Sequence, residues 1–303
     1  MSDTISVDVD GRLLSLSNLS KVLYPASGTT KADVIEYYRR VAPVMLPHLR
    51  GRAPTLVRAP DGAHGEVFFE KRCPPHAPDW ISTSAVGRYD DHQGYEACLV
   101  DDLPTLVWVA NLAALELHTH QARVTDPEHP TAVVIDLDPG EPAGLLECCA
   151  IAVALHDVCD QLGLVAVVKS SGGKGLHLSI PLNNSTSTAN DTKRFALALG
   201  QLLETRVPDR VTTTMAKVAR PGKVFIDWSQ NDRSKTTVCA YSLRIRDRPT
   251  VSAPLRWDEV QDALDAREPE RLVFEAPDVL ARVAEHGDLF EANLTVRQEL
   301  PAS

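Results

Sequence analysis

An α+β fold, with central mixed sheets that carry carboxylates and are flanked by helices, is the architecture this 303-residue sequence predicts, and three observations point to it. Two apolar runs rich in β-branched residues, Ala132 to Leu137 and Leu164 to Val168, bracket the helical periodicity of Gly144 to Leu162. A third run, Leu176 to Pro181, follows the second after a turn too short for a crossover, so it pairs as a hairpin and makes the sheet mixed. Helical and strand-like stretches alternate along the chain with no internal repeat and no low-complexity run.

Taken in order, Arg12 to Ser15 reads as a short strand, and Tyr24-Pro25 and Ser27-Gly28 mark the turns of the loop after it. A helix starts at Thr30, and Lys31 to Leu49 spaces Val34, Tyr37, Tyr38, Val41 and Met45 along one face. Val67 to Phe69 is a short apolar strand, whose alternation places one of its two phenylalanines in the core. Leu106 to Leu117 reads as an amphipathic helix ending near His118. In Gly144 to Leu162, Leu145, Cys149, Ala152, Val153, Leu155, Cys159 and Leu162 are expected to face inward. Asn183 to Asp191 is a polar loop, Thr192 to Thr205 a helix, and Lys223 to Trp228 a strand.

Composition narrows the function classes. With 44% hydrophobic and 24% charged residues, the chain has the make-up of a soluble enzyme. Its longest apolar runs are far shorter than the ~18 residues of a membrane span, and Met1 to Asp10 shows no secretory signal, so the expected compartment is the cytoplasm. The six cysteines form no Cys-x-x-Cys pair, which disfavours a zinc ribbon, and in a reducing compartment they read as buried hydrophobes without disulfides. A net charge of −10 argues against a broadly basic nucleic-acid surface, but the charge is segregated. Trp257 to Ser303 carries a net −8 and Arg206 to Arg248 a net +6, which suits a local anionic-ligand site.

The chemistry begins at Val133-Val134-Ile135-Asp136-Leu137-Asp138-Pro139-Gly140. Strand alternation points Asp136 and Asp138 the same way, about 7 Å apart, a cradle for a hard divalent cation such as Mg²⁺ or Mn²⁺. The bland alternative is a solvated turn. Lys169-Ser170-Ser171-Gly172-Gly173-Lys174-Gly175-Leu176-His177 then gathers glycines whose N–H groups can converge on an anion, with Ser171 adding a hydroxyl and Lys174 a charge suited to a triphosphate. It matches neither familiar nucleotide loop, and a glycine-rich hairpin turn is the plain alternative. Asp227, closing a third strand inside the basic segment, either caps that strand or, together with Asp136 and Asp138, completes a three-carboxylate site for two metals of the kind used in phosphoryl chemistry.

In that order, Asp-Leu-Asp-Pro-Gly, Ser-Gly-Gly-Lys-Gly-Leu-His, Lys-Val-Phe-Ile-Asp-Trp-Ser-Gln-Asn, Ser-Lys-Thr-Thr (234–237) and Tyr-Ser-Leu-Arg (241–244) resemble the polymerase domain of bacterial ligase D. That domain belongs to the archaeo-eukaryotic primase, or primase-polymerase, superfamily and serves non-homologous end joining. Leu-Ser-Lys-Val-Leu-Tyr-Pro (19–25), Thr-Lys (30–31), Phe-Phe-Glu-Lys (68–71) and Ala-Leu-Glu-Leu-His (114–118) extend the likeness over about residues 12–290. The resemblance implies a primase-polymerase fold across residues 1–303: an N-terminal portion of about 1–125 packed on a catalytic core of about 126–256, then an acidic helical segment of about 257–303. With no room for a nuclease or ligase module, the chain is expected to be a stand-alone polymerase or one excised from a larger enzyme.

The resemblance also implies roles. Asp136, Asp138 and Asp227 hold two divalent metal ions, Mn²⁺ or Mg²⁺, and activate a primer 3′-hydroxyl toward the α-phosphate of a nucleoside triphosphate, ribonucleotides being favoured. His118, Ser171, Lys174 and Arg244 contact the triphosphate or its ribose, with Arg220, Gln230 and Lys235 nearby, and His177 either orients the carboxylates or is a core histidine. Asn18, Lys21 and Lys31 hold the 5′-phosphate of a gapped or broken DNA, and Phe68 and Phe69 stack on template bases. Gly172, Gly173, Gly175, Arg58 and Lys71 support these groups, and Ku and a separate DNA ligase are the implied protein partners. Two rivals stay open on sequence alone. Val-Val-Ile-Asp-Leu-Asp also opens haloacid-dehalogenase phosphatases, and a non-catalytic DNA-end binding module could keep the fold without turnover.

Overall fold

The computed structural model describes residues 4–87 and 94–301, so the first three residues of the Met1 to Asp10 segment lie outside it. The described residues form two compact units. One draws on Met1–His120, Thr236–Ser252 and Glu275–Gly287, the other on Gln121–Lys235, Ala253–Phe274 and Asp288–Ser303. The acidic C-terminal residues are thereby divided between the two.

The first unit is organised by the helix Lys31–Leu49 and a four-stranded antiparallel sheet in the order Thr237–Val238, Ala114–Thr119, Pro54–Arg58, Phe68–Glu70. The helix starts where the sequence predicts, because Thr30 and Asp33 form a reciprocal capping box: the Thr30 hydroxyl accepts from the Asp33 N–H and the Asp33 carboxylate from that of Thr30. Its buried tyrosines reach backbone carbonyls, Tyr38 that of Leu115 at 2.6 Å and Tyr37 that of Tyr241 at 2.7 Å.

Three expectations in this unit are corrected. Leu106 to Leu117 is not one helix: a helix spans Leu103–Asn111 from an Asp102 cap, and Ala113, at φ 56°, breaks it and launches the strand Ala114–Thr119. Neither Phe68 nor Phe69 is in the core, since their three-residue strand is a sheet edge that leaves them 45% and 71% exposed. Cys73 and Cys98 are joined as a disulfide. The Cys73 N–H donates to Glu96 O at 2.8 Å, which brings the two Cα atoms to 4.7 Å, inside bridging range. Cys148, Cys149, Cys159 and Cys239 are buried as expected.

The second unit carries a six-stranded mixed sheet in the order Val211–Thr212, Val224–Asp227, Ala132–Pro139, Leu176–Pro181, Val167–Ser170, Pro254–Leu255. Only the first pair is parallel. Val133, Ile135, Leu137, Leu178 and Ile226 pack one face against Cys148, Ile151 and Leu155 of the helix Leu145–Gln161. The expected hairpin between Val167–Ser170 and Leu176–Pro181 is present, although its first strand begins three residues later than predicted. Leu164 is taken up in closing the preceding helix, donating to Cys159 O at 2.8 Å after Gly163 turns at φ 71°. A Thr188–Asp191 capping box likewise starts the next helix, Ala189–Arg206, ahead of Thr192. Among the described residues no helix is long and apolar enough to cross a membrane.

Candidate active site

Alternation on the six-stranded sheet turns the polar chemistry of the second unit away from its helix-covered core. Register then aligns four side chains in one row across four strands. Lys169 lies opposite His177, His177 opposite Asp136, and Asp136 opposite Asp227. Asp138 stands two residues along from Asp136, opposite Phe225, and is exposed, whereas Asp227 is 8% exposed.

Each buried carboxylate is held by donors. His177 Nε2 is 3.2 Å from Asp136 Oδ1. Asp227 Oδ1 accepts from the Ser229 N–H at 3.0 Å and the Ser229 hydroxyl at 2.6 Å, and its Oδ2 accepts from Gln230 Nε2 at 3.0 Å. Beyond the end of the Asp227 strand, the Asn231 amide continues the pairing: its Nδ2 donates to Val134 O at 2.7 Å and its Oδ1 accepts from Val134 N at 2.9 Å. Asn231 therefore fixes where Asp227 sits relative to the Asp136 strand.

The glycine-rich loop lies against that same strand. Ser171 N donates to Gly175 O at 2.9 Å, and the Ser171 hydroxyl accepts from the N–H groups of Gly173 and Gly175, both at 3.2 Å. The N–H groups of Gly173 and Gly175 thus converge on the Ser171 hydroxyl. Gly172 turns at φ 68°, and a Cβ on Gly175 would lie 2.1 Å from Leu137 O, so this position requires glycine. Lys174 Nζ pairs with Glu141 at 2.6 Å on the surface, and this hydrogen bond draws the Glu141 carboxyl below its ordinary range. The Arg220 guanidinium lies 3.6 Å from the centroid of the Phe225 ring and donates to Met215 O at 2.8 Å, while Lys235 is exposed.

The first unit holds three further groups. Glu116 and His118 share a face of the strand Ala114–Thr119, with His118 Nε2 2.7 Å from Glu116 Oε2 and Arg244 Nε 3.1 Å from Oε1, which also accepts from Ile245 N at 2.7 Å. Burial pushes the Glu116 carboxyl up, but the hydrogen bond from His118, the Arg244 and His118 charges and the Ile245 N–H outweigh it and bring it down to about 2. Lys21 and Lys31 are brought together by a backbone bond, Lys31 N to Lys21 O, at 2.8 Å; Asn18, at φ 54°, accepts from Lys21 N at 3.0 Å. Lys31 Nζ donates to Ser17 O at 2.7 Å, Lys21 Nζ to Asp61 at 2.7 Å. Burial, then the charges of Lys21 and Arg58, lower Lys31 to about 8. At the sheet edge, Arg58 lies opposite Phe68, donates to Leu112 O at 2.9 Å and pairs with Glu70 at 2.8 Å; Lys71 follows, exposed.

The carboxylate row suits a hard divalent ion by its donor chemistry, three oxygen groups on one face of a rigid sheet. Among the described residues no three His, Cys, Asp or Glu side chains stand gathered at ligating spacing. A carboxylate offers about four lone-pair sites, so the bonds from His177, Ser229 and Gln230 can orient Asp136 and Asp227 and still leave them able to bind a cation. Sequence reasoning singled out neither Lys169 nor Glu116. A lysine ending an apolar run was the one signal for the first; the second was hidden by the helical reading of its strand.

Comparison with known proteins places these features in a family. Residues 30–290 match the family model described as LigD, primase-polymerase domain. The multifunctional non-homologous end joining protein LigD of Mycobacterium bovis is 42% identical over 286 residues, 92% of this chain and 36% of its own length. The bifunctional protein of that name from Bacillus subtilis is 34% identical over 251 residues, 83% of this chain and 40% of its own. This chain thus spans well under half of these relatives. A solved structure of the polymerase domain from Mycobacterium tuberculosis ligase D in complex with DNA superposes with a TM-score of 0.86 at 40% identity, covering 94% of this chain and 99% of that one. Fold and sequence together define a nucleotidyltransferase of the primase-polymerase class. Within that class the chain belongs to the LigD primase-polymerase domain family, and the haloacid-dehalogenase phosphatase reading falls away.

Proposed function

We propose that this chain adds nucleotides, ribonucleotides in preference, to a DNA primer 3′-end at gaps and double-strand breaks, as part of non-homologous end joining or gap repair. The alignment of Asp136 with Asp227 across adjacent strands, with Asp138 two residues along the same face, carries this reading. Two divalent ions, Mn²⁺ or Mg²⁺, would supply charge neutralisation for the attacking and leaving oxygens. The chain's own residues do the holding. His177 turns Asp136, and Ser229 and Gln230 turn Asp227, so the carboxylates are pre-set and need little reorganisation. As the 3′-oxygen bonds to the α-phosphorus, the bridging oxygen to the β-phosphorus leaves with pyrophosphate. Ser171 and the Gly173 and Gly175 N–H groups cradle phosphate oxygens, Lys174 exchanges Glu141 for the polyphosphate, and Arg220, Gln230 and Lys235 flank it.

In the first unit, His118 and Arg244 are both held in place by Glu116, suited to contacts with a triphosphate or ribose. Lys21, Lys31 and Asn18 receive a 5′-phosphate, whose charge would offset what lowers the Lys31 pKa, burial first and then the charges of Lys21 and Arg58. Phe68 and Phe69, exposed on a sheet edge beside Arg58 and Lys71, offer stacking worth about 1–3 kcal/mol per base. Ku and a separate ligase are the proposed protein partners, and the cytoplasm, at the nucleoid, the proposed location. The test is primer extension on a gapped duplex with Mn²⁺, comparing ribo- and deoxynucleotides and 5′-phosphate with 5′-hydroxyl. Template-directed addition, faster with ribonucleotides and with the 5′-phosphate, is expected; no incorporation on any substrate would overturn the reading.

A further inference from the structure

Lys169 is the third residue of the strand Val167–Ser170, and its side chain is turned onto the carboxylate face of the sheet, where the residue is 5% exposed. Its Nζ lies 3.1 Å from His177 Nδ1, and the other ring nitrogen of His177, itself in a residue 6% exposed, lies 3.2 Å from Asp136 Oδ1. A lysine ammonium has hydrogens to donate and no lone pair to accept with. Nδ1 must then be the acceptor, so the proton of the neutral ring sits on Nε2 and is donated to Asp136. The opposite tautomer would set two N–H groups against each other at Nδ1 and an unprotonated nitrogen against a carboxylate oxygen at Nε2. Both contacts would be repulsive.

We infer that Lys169 is a positioning residue: it fixes the tautomer of His177, and His177 in turn fixes the carboxylate of Asp136 in the orientation that receives a divalent ion. The inference rests on the proposed role of Asp136 as a metal ligand. Register supports it independently of the side-chain distances, because Lys169, His177 and Asp136 are direct cross-strand neighbours on three consecutive strands. A ring held at both nitrogens by rigid strands cannot rotate without breaking both contacts. A lysine that merely filled space here would be replaceable by methionine, which has a similar length and no donor.

The experiment uses the full chain in three forms, unsubstituted, Lys169→Met and Lys169→Gln. The His177 tautomer is read from long-range nitrogen–proton NMR correlations after chelator treatment, and Mn²⁺ affinity from the electron paramagnetic resonance of unbound Mn²⁺ without nucleotide or DNA. The unsubstituted chain should show the Nε2–H tautomer. Lys169→Met should give a tautomer mixture and about 10–100-fold weaker Mn²⁺ binding, the usual size of an outer-shell loss, while Lys169→Gln, which keeps an N–H donor, should recover both. An Nδ1–H tautomer in the unsubstituted chain overturns the inference even if Lys169→Met fails to fold. Mn²⁺ binding that Lys169→Met leaves unchanged overturns it alone. A chain that binds no Mn²⁺ in any form overturns the ligand reading first, and this inference with it.

Discussion

Glu116 is a buried carboxylate with three partners, and its ionisation is coupled to folding. Its folded-state pKa of about 2 lies below that of an unfolded glutamate. The stabilisation is therefore complete above the unfolded value and is lost as pH falls from there toward about 2. Glu116→Gln should remove on the order of 3 kcal/mol at neutral pH and flatten the acid limb. Urea unfolding from pH 7 to 2.5 checks this, and an unchanged acid limb would show that Glu116 is not coupled. Lys31 works in the opposite sense. With a pKa of about 8 it sheds its charge as pH rises, while a terminal phosphate, whose second pKa is near 6, stays dianionic. Preference for a gap with a 5′-phosphate over a 5′-hydroxyl should accordingly decline as pH climbs through about 8; binding isotherms between pH 7 and 9.5 would show it, and a flat ratio would remove Lys31 from the pocket. Glu116 was illegible in the sequence because a helix points residues i and i+2 apart. Only the strand puts it beside His118.

At the scale of elements, what the sequence made legible were stretches whose periodicity and capping agree. The helices at Lys31–Leu49 and Leu145–Gln161 and the hairpin after Val167 are of this kind. The strand Ala114–Thr119 was not, because the break before it depends on Ala113 adopting a left-handed conformation for which alanine gives no signal. Nor was the Cys73–Cys98 bridge, whose partners are 25 residues apart and meet only through strand pairing. The glycine-rich loop was read as a phosphate cradle, yet its tightest demand is steric: Gly175 against Leu137 O. Gly175→Ala should destabilise the chain by about 1–3 kcal/mol, since a backbone oxygen has to move. Urea unfolding of Gly175→Ala against the unsubstituted chain measures it, and equal midpoints would contradict the close approach.

Across the whole molecule, the charge segregation seen in the sequence overstated the basic surface. Arg244 is paired with Glu116, Arg248 with Glu275 and Arg233 with Glu128, each inside its own unit. With a net charge of −10, the proposed recognition of nucleic acid rests on local devices: the proposed phosphate contacts of Lys21 and Lys31 and the proposed stacking on the exposed Phe68 and Phe69. The three carboxylates were legible because Asp-x-Asp and a third strand-end aspartate follow strand alternation; the alignment of Asp136 with Asp227 depended on a register that spacing alone does not fix. Single-nucleotide addition to a gapped, 5′-phosphorylated primer by Asp136→Asn and Asp138→Asn, alongside binding of the same DNA, tests whether these carboxylates serve the reaction. Addition should fall by about 10²–10³-fold or more while DNA affinity stays within about twofold, because these groups act on the reacting phosphate and not on the duplex. Near-normal addition by either variant would contradict the account.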